Sequence, residues 1–223
     1  MARRGFYKVC FFEREMMSAV TKTRSEQGTR DLVCRTVQID GIMPLMFDRY
    51  PGDNDTKLTE AQKLYFARDG KTIVMPSNNL MSFLSAKNTD SAPKRLLDSR
   101  KYKKFTEACA SFVIISALDG TEDIPVLRDE KPITFSGFGA DETCPSSGIY
   151  IRRDVARLEK GIPNPKSRPV LPLSWSMVFK LELYPNQLIQ EQQIKNVMEQ
   201  GGIAVGIGTW RGRFGKFIVS RWE

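Results

Sequence analysis

Gly201-Gly-Ile-Ala-Val-Gly206-Ile-Gly208-Thr-Trp210-Arg211-Gly212-Arg213-Phe-Gly215-Lys216-Phe217-Ile-Val-Ser220 is the stretch that sets the expected architecture. Glycine costs backbone entropy and is kept where the chain needs positive φ or a close approach. The run ends in Lys216-Phe-Ile-Val-Ser220, a β-branched and aromatic stretch that reads as a strand. Upstream, Gln187 to Gln200 places Ile194, Val197 and Met198 on one face, which predicts a helix that Gly201-Gly202 ends. Before it, Trp175, Met177, Phe179, Leu181 and Leu183 alternate with Ser174, Ser176, Val178, Lys180 and Glu182, the pattern of a half-buried strand. Strand, helix, glycine-rich turn and strand make half of a β-α-β-β-α-β ferredoxin-like unit.

The glycine-rich turn also carries chemistry. Bare backbone N–H groups and interleaved guanidinium forks suit a polyanion. The spacing matches neither common nucleotide signature: no Gly-Lys-Ser/Thr is present, and the glycines follow a helix and open a strand. The alternative is a plain hairpin turn with glycine at its corners.

The rest of the chain extends the same reading. Residues 31–40 form a strand with Val33, Val37 and Ile39 on one face and Arg35 breaking the pattern. Met46 to Asp55 is rich in turn residues and reads as an exposed loop. A short helix capped by Thr59, a turn at Asp69-Gly70 and a strand over 71–75 follow. Pro76-Ser77-Asn78-Asn79 opens a helix with Leu80, Phe83 and Leu84 inward and Ser77 as its cap. Lys94 to Lys104 is a basic segment, either a solvated helix face or a nucleic-acid contact. Cys109 to Leu118 reads as an apolar strand, and Ile124 to Leu127 as one that pairs back on it. Residues 136–148 form a loop, and Ile149 to Arg157 a strand edged with arginine. Residues 159–172 are rich in proline and cation and are expected as a protruding loop or edge, because proline lacks the ladder donor. The sum is an α+β, ferredoxin-like (RRM-like) antiparallel sheet with helices on one face and long inserted loops. Residues 31–223 form a single nucleic-acid-binding domain, and residues 1–30 a peripheral N-terminal segment in which Phe6 to Val20 can form a short amphipathic helix.

Composition narrows function. The chain of 223 residues carries 34 Lys+Arg against 26 Asp+Glu, a formal net charge of +8. Such a balance suits a polyanionic partner. No apolar run is long enough to span a bilayer, and Lys8, Glu13, Arg14 and Glu15 interrupt any signal-like segment. Cys10, Cys34, Cys109 and Cys144 are scattered, without zinc spacing, and read as reduced cytoplasmic thiols. The absence of histidine excludes histidine-based nucleophile systems, histidine general bases and histidine metal ligands.

Three features together resemble the repeat-associated RNA-binding (RAMP) superfamily of CRISPR systems, in particular the backbone subunits of its effector complexes. They are the opening strand running into Gly41-Ile-Met-Pro44-Leu45, the helix opening Val74-Met75-Pro76-Ser77-Asn78-Asn79-Leu80, and the glycine-rich turn before the last strand. Met81 and Ser82 stand where that family usually has a basic residue after the leucine. The texture is also similar to that of phage and integrated-element proteins, which leaves both RNA and DNA open as the strand. The resemblance implies a single-strand-binding subunit that oligomerises along its ligand or joins a ribonucleoprotein complex. Without histidine or a recognisable metal box, the chain is expected to be non-catalytic, with no cofactor and no metal.

Stacking of bases on aromatics beside cations is the physical counterpart of that implication. The candidate pairs are Phe47 and Tyr50 around Arg49, Tyr150 before Arg152 and Arg153, and Trp210 and Phe214 around Arg211 and Arg213, with Lys216 as a further nucleic-acid-binding candidate. Tyr50 and Trp210 are expected to be exposed, Phe179 and Phe217 to be core. Two other classes stay open. One is a metal-dependent endoribonuclease acting through a loop aspartate, Asp48, with Asp53 and Asp55 nearby. In effector-backbone subunits of one type that the chain resembles, a loop aspartate cleaves the bound RNA. The other is a structural protein whose basic face meets an acidic protein.

Overall fold

The computed structural model describes residues 32–53, 55–87, 91–139, 148–157 and 163–223. The expectations for residues 1–30, for Cys10 and Cys144, for most of the 136–148 loop and for 159–162 lie outside these residues.

The main sheet is built around the two strands with the clearest alternation. Strand β1 (Val33–Gly41) pairs antiparallel with β9 (Ser176–Leu183), from Val33 opposite Leu183 to Asp40 opposite Ser176. Its other edge pairs antiparallel with the last strand, β10 (Phe217–Trp222). The far edge of β9 is shared. Strand β4 (Val113–Ser116) takes residues 180–183, and β5 (Asp123–Arg128) takes residues 176 and 177. Beyond β5 lie β3 (Val74–Pro76) and the short return strand β6 (Lys131–Pro132). The order β10-β1-β9-β4, every pair antiparallel, is the ferredoxin-like order of fourth, first, third and second strand.

The two crossovers of that unit are helical. Helices α1 (Ser77–Ser85), α2 (Ala92–Leu96) and α3 (Ser99–Phe112) lie between β1 and β4, and α4 (Glu191–Ala204) lies between β9 and β10. Met177, Phe179 and Leu181 of β9 and Val37 and Ile39 of β1 are buried against Leu80, Phe83, Leu84, Ile194 and Met198. Phe217 joins them, so Phe179 and Phe217 are core, as their alternation implied. The opposite sheet face carries Thr36, Gln38, Asp40, Val178, Lys180 and Glu182, half-buried and without an aromatic ring.

Several boundaries differ from expectation for physical reasons. Helix α4 does not stop at Gly201; it runs through it. A Cβ on Gly201 would lie 2.4 Å from Ala92 Cβ and 2.7 Å from the Phe83 ring, so this glycine lets α4 touch α2 and α1. The apolar run at Cys109 begins as helix, because Ala108 and Cys109 complete the buried face opened by Phe105; the strand starts only at Val113. Burial pushes the Cys109 thiol up to about 12. Strand β5 does not pair with β4; it pairs with β3, β6 and β9. The helix expected at Thr59 is a single 3-10 turn, Ala61–Lys63, since fully buried Leu64 and the Phe66–Ile73 bridge draw the chain back into the core. Pro76, not Ser77, occupies the cap of α1, and Ser77 makes no side-chain capping bond.

Arg35, the residue that broke the alternation of β1, has a partner. Its Nε donates to Glu191 Oε1 at 2.6 Å and a terminal nitrogen to Oε2 at 2.9 Å. Trp222 Nε1 donates to the same carboxylate at 2.7 Å. One carboxylate at the start of α4 therefore ties β1 to β10.

Two stability predictions follow from this packing. In an open helix Gly→Ala stabilises by about 0.5–1 kcal/mol. Gly201→Ala should instead destabilise, by about 1–3 kcal/mol, because the methyl has no room; urea unfolding reads the sign. The Arg35 hydrogen bond, followed by the Trp222 bond, holds the Glu191 carboxyl below its ordinary 4.5. Its contribution is complete above that pH and is lost as pH falls through the depressed folded value. Glu191→Gln should remove that part of the acid dependence, seen as a flatter stability profile below pH 4.5.

Candidate nucleic-acid interface

A second sheet is inserted into the ferredoxin-like frame. It has three antiparallel strands in the order β2 (Leu45–Met46), β8 (Pro163–Leu171) and β7 (Tyr150–Arg157). The proline-rich segment is thus its central strand, contrary to expectation. The reason lies in parity. Alternate residues of an antiparallel strand turn their backbone groups to opposite neighbours. Pro163, Pro165 and Pro169 share one parity, and Phe47 N donates to Pro169 O at 3.0 Å, on the β2 side. The missing donors therefore point away from β7. Ser167, of the same parity, accepts from Lys63 Nζ there. Towards Pro163, no strand among the described residues pairs with the β2 side of β8, so no donor is needed there.

Parity also sorts the side chains. Leu45, Phe47, Ile149 and Leu171 enter the main core. The other face presents Met46 and Asp48, then Val170, Arg168 and Lys166, then Tyr150, Arg152 and Asp154. Met46, Tyr150 and Val170 form a small separate core closed by Phe214 of the glycine-rich turn. Past it runs a row of charge. Arg168 Nε donates to Asp48 Oδ2 at 2.7 Å, and Arg152 Nε to Asp154 Oδ2 at 2.8 Å. Arg152 and Arg168 stand directly opposite across the ladder, and each arginine has its own carboxylate. That pairing offsets the like-charge repulsion of the cross-strand position.

The glycine-rich turn is built from contacts to backbone. Gly206 N donates to Gly201 O, Gly212 N to Val205 O and Gly215 N to Pro44 O. These three amides are therefore satisfied within the protein, and the expectation that bare glycine N–H groups meet phosphate does not hold for them. Gly215 has φ +65°, and a Cβ there would lie 1.9 Å from Ile207 O. These glycines shape the turn between α4 and β10. What the turn presents is Trp210.

Trp210 is 39% exposed and has φ 56°, a conformation rare for a bulky side chain. Its ring centroid is 5.9 Å from that of Phe214. Arg213 lies 5.3 Å over the Trp210 ring, and Arg152 lies 5.5 Å over Phe214. Arg152, Phe214, Trp210 and Arg213 thus form one ladder of cation, ring, ring and cation. The ladder joins two groups of site residues that lie some sixty positions apart in the sequence.

The remaining site residues divide. Arg211 turns inward, donating from Nε to Gly208 O at 3.3 Å and from a terminal nitrogen to Ser82 Oγ at 2.9 Å. Ser82 is one of the residues standing in place of the usual basic one in the first helix, so two of the motifs that carry the resemblance meet at this bond. Lys216 is half-buried, and its carbonyl accepts from Ile42 N and Met43 N. Arg153 is exposed on the other face of β7 from Arg152. Arg49 and the 62% exposed Tyr50 sit in a separate groove of about 630 Å³ along the open edge of β8. Lys57, Lys63 and Lys166 also line it, and none of these three was singled out in the sequence. Phe47, Tyr150 and Phe214, read as stackers, are 1%, 7% and 5% exposed and serve packing. From the basic segment, Arg95 reaches the turn: a Cβ at Gly212 would lie 3.9 Å from its guanidinium.

The carboxylates do not assemble. Asp48 is engaged by Arg168. Asp53 accepts from the amide and then the hydroxyl of Thr56 and from the amide of Asp55, which hold its carboxyl below the ordinary value. Among the described residues no group of three His, Cys, Asp or Glu side chains is placed to hold a metal. Among those residues also, no helix is long and apolar enough to cross a membrane.

No protein-family model matches the chain, and no curated protein matches it. Among solved structures, a chain from the cryo-EM structure of the Type III-B Cmr-beta bound to cognate target RNA is similar at 9% identity and a TM-score of 0.46. The match covers 94% of this chain and 66% of that one, so this chain spans just under two thirds of its neighbour's length. So slight a likeness carries no weight for fold or function, which rest on the geometry above.

The two arginines of the turn should separate experimentally. Arg211→Ala removes an internal brace and should lower the melting temperature. Arg213→Ala should leave it unchanged and, in titrations with a single-stranded oligonucleotide, reduce the salt slope by about one. Equal thermal effects of the two changes would contradict the assignment.

Proposed function

We propose that this protein is a non-catalytic single-strand nucleic-acid-binding protein, acting on RNA or DNA. The observation that carries the reading is the ladder of Arg152, Phe214, Trp210 and Arg213, with Trp210 held outward in a left-handed backbone conformation. Strained backbone at an exposed aromatic costs about 1–3 kcal/mol and is retained where the position is functional. A base stacks on Trp210 while Arg213 meets the adjoining phosphate. Tyr50 and Arg49, in the groove at the β8 edge, offer a second platform for the same strand. The mode differs from that of an RNA-recognition sheet, since the open face of β1 and β9 carries no ring.

The motif resemblance supports a subunit of a CRISPR effector backbone that oligomerises along its strand in the cytoplasm. The two loops that met in the groove, residues 46–55 and the β8 segment, are the surfaces offered to a neighbouring subunit or to the strand. The non-enzymatic part of the reading rests on Asp48, whose carboxylate is paired with Arg168 rather than free to act as a base.

A competition assay tests the binding. Single strands should displace a labelled single-stranded oligonucleotide far better than duplex of equal length. Trp210→Ala should weaken binding about 5- to 150-fold, the loss of one stacked base. Equal or better competition by duplex would exclude the proposal. So would magnesium-dependent cleavage of the strand that disappears on Asp48→Ala.

A further inference from the structure

A groove between α3 and α4 is independent of the reading above. Its floor is apolar, with Phe105 and Val197 buried and Leu96 half-buried. At one end stands Leu188, 67% exposed. That exposure is built in: Asn186 Oδ1 accepts from the amides of Leu188 at 2.9 Å and of Ile189 at 2.8 Å, which fixes the turn with the leucine held out. Lys101 and Lys104 line the α3 wall. The α4 wall is formed by residues at positions 193, 196, 197 and 200, one helical face about 10 Å long. Two helices with an apolar trough between them are the receiving half of a helix-in-groove contact.

We propose that the occupant is residues 6–20 of the same chain, docked as an amphipathic helix. Three observations single it out. First, the chain arrives at the right place. Val33, which opens β1, lies opposite Leu183, and the connection from Leu183 leads within five residues to Leu188. The eleven polar residues 21–31 reach up to about 36–40 Å, while five residues span at most about 18 Å. Second, the periodicity fits. Val9, Phe12, Met16 and Val20 follow one another at steps of three, four and four, which places them on one helical face. A fifteen-residue helix is about 22 Å long, enough to cover the trough. Third, the charges match. Glu13 borders one edge of that apolar face and Lys8 the other, and the charged wall of the groove carries Lys104 beside Lys101, which pairs with Asp98, so the Glu13 edge faces α3.

The full-length chain gives the test by hydrogen exchange. Amides of residues 6–20 should be protected, and Leu188→Asp should raise their exchange at least tenfold while β1 and β9 stay unchanged. Rapid exchange of 6–20 in the unaltered chain would overturn the proposal, as would protection that Leu188→Asp leaves in place. The second measurement identifies the owner of the segment and does not rely on that variant. In a Cys34→Ser background, a short bis-maleimide should join native Cys10 to Gln193→Cys within one chain at a yield independent of protein concentration. Crosslinks between isotopically distinct chains would show that a second copy supplies the helix. No crosslink at all would show that the groove is empty of it.

Discussion

The glycine-rich turn lies against the connection between β1 and β2 closer than any side chain would permit, and the two sheets depend on that approach. Gly215 N reaches Pro44 O and Thr209 N reaches Met46 O, while Ile207 closes on Gly215 across the turn. A side chain at Gly208 would meet Met46 O at 2.6 Å. The turn is thereby bonded to the strand that begins the inserted sheet as well as to β10, which it precedes. Phe214 can then close the small core on Met46, Tyr150 and Val170. Without that contact, Arg152 on β7 and Trp210 on the turn would belong to separate surfaces.

The charge on this surface is organised by pairing. Asp48 and Asp154 each neutralise an arginine of the inserted sheet, which positions Arg168 and Arg152 but leaves little of their charge for a ligand. The cations that extend beyond these pairs are exposed ones at the margins: Arg213 over the Trp210 ring, Arg153, and Arg49 in the groove. Rigid paired arginines beneath and exposed cations beside the aromatic rings are the arrangement on which the proposed stacking of a flexible polyanion rests.

How much of this was readable in the sequence depends on whether the signal was local. The alternation of β9, the apolar face of α4 and the strand after the glycines gave the half-unit that closes the fold. Tyr50 and Trp210 were recognised as exposed because their neighbours are polar or glycine. What escaped was set by distant partners. Gly201-Gly202 resembles a helix end, and only the position of Ala92 and Phe83 shows that it is a packing notch. The prolines of β8 read as a loop because proline lacks a donor; their even spacing is a strand signal, since it sends every missing donor to one edge. Arg168 and Asp48 meet across 120 residues, and no local pattern announces that bond.

The central claim is that a strand lies across Trp210 and the adjoining cations, not on the open face of the main sheet. Photocrosslinking of a bound single-stranded oligonucleotide bearing halogenated pyrimidines, with the crosslinked peptides located by mass spectrometry, tests it most directly. The account predicts adducts at Trp210, with a second set at Tyr50. Adducts confined to the strand peptides bearing Thr36, Gln38, Val178 and Lys180 would contradict it.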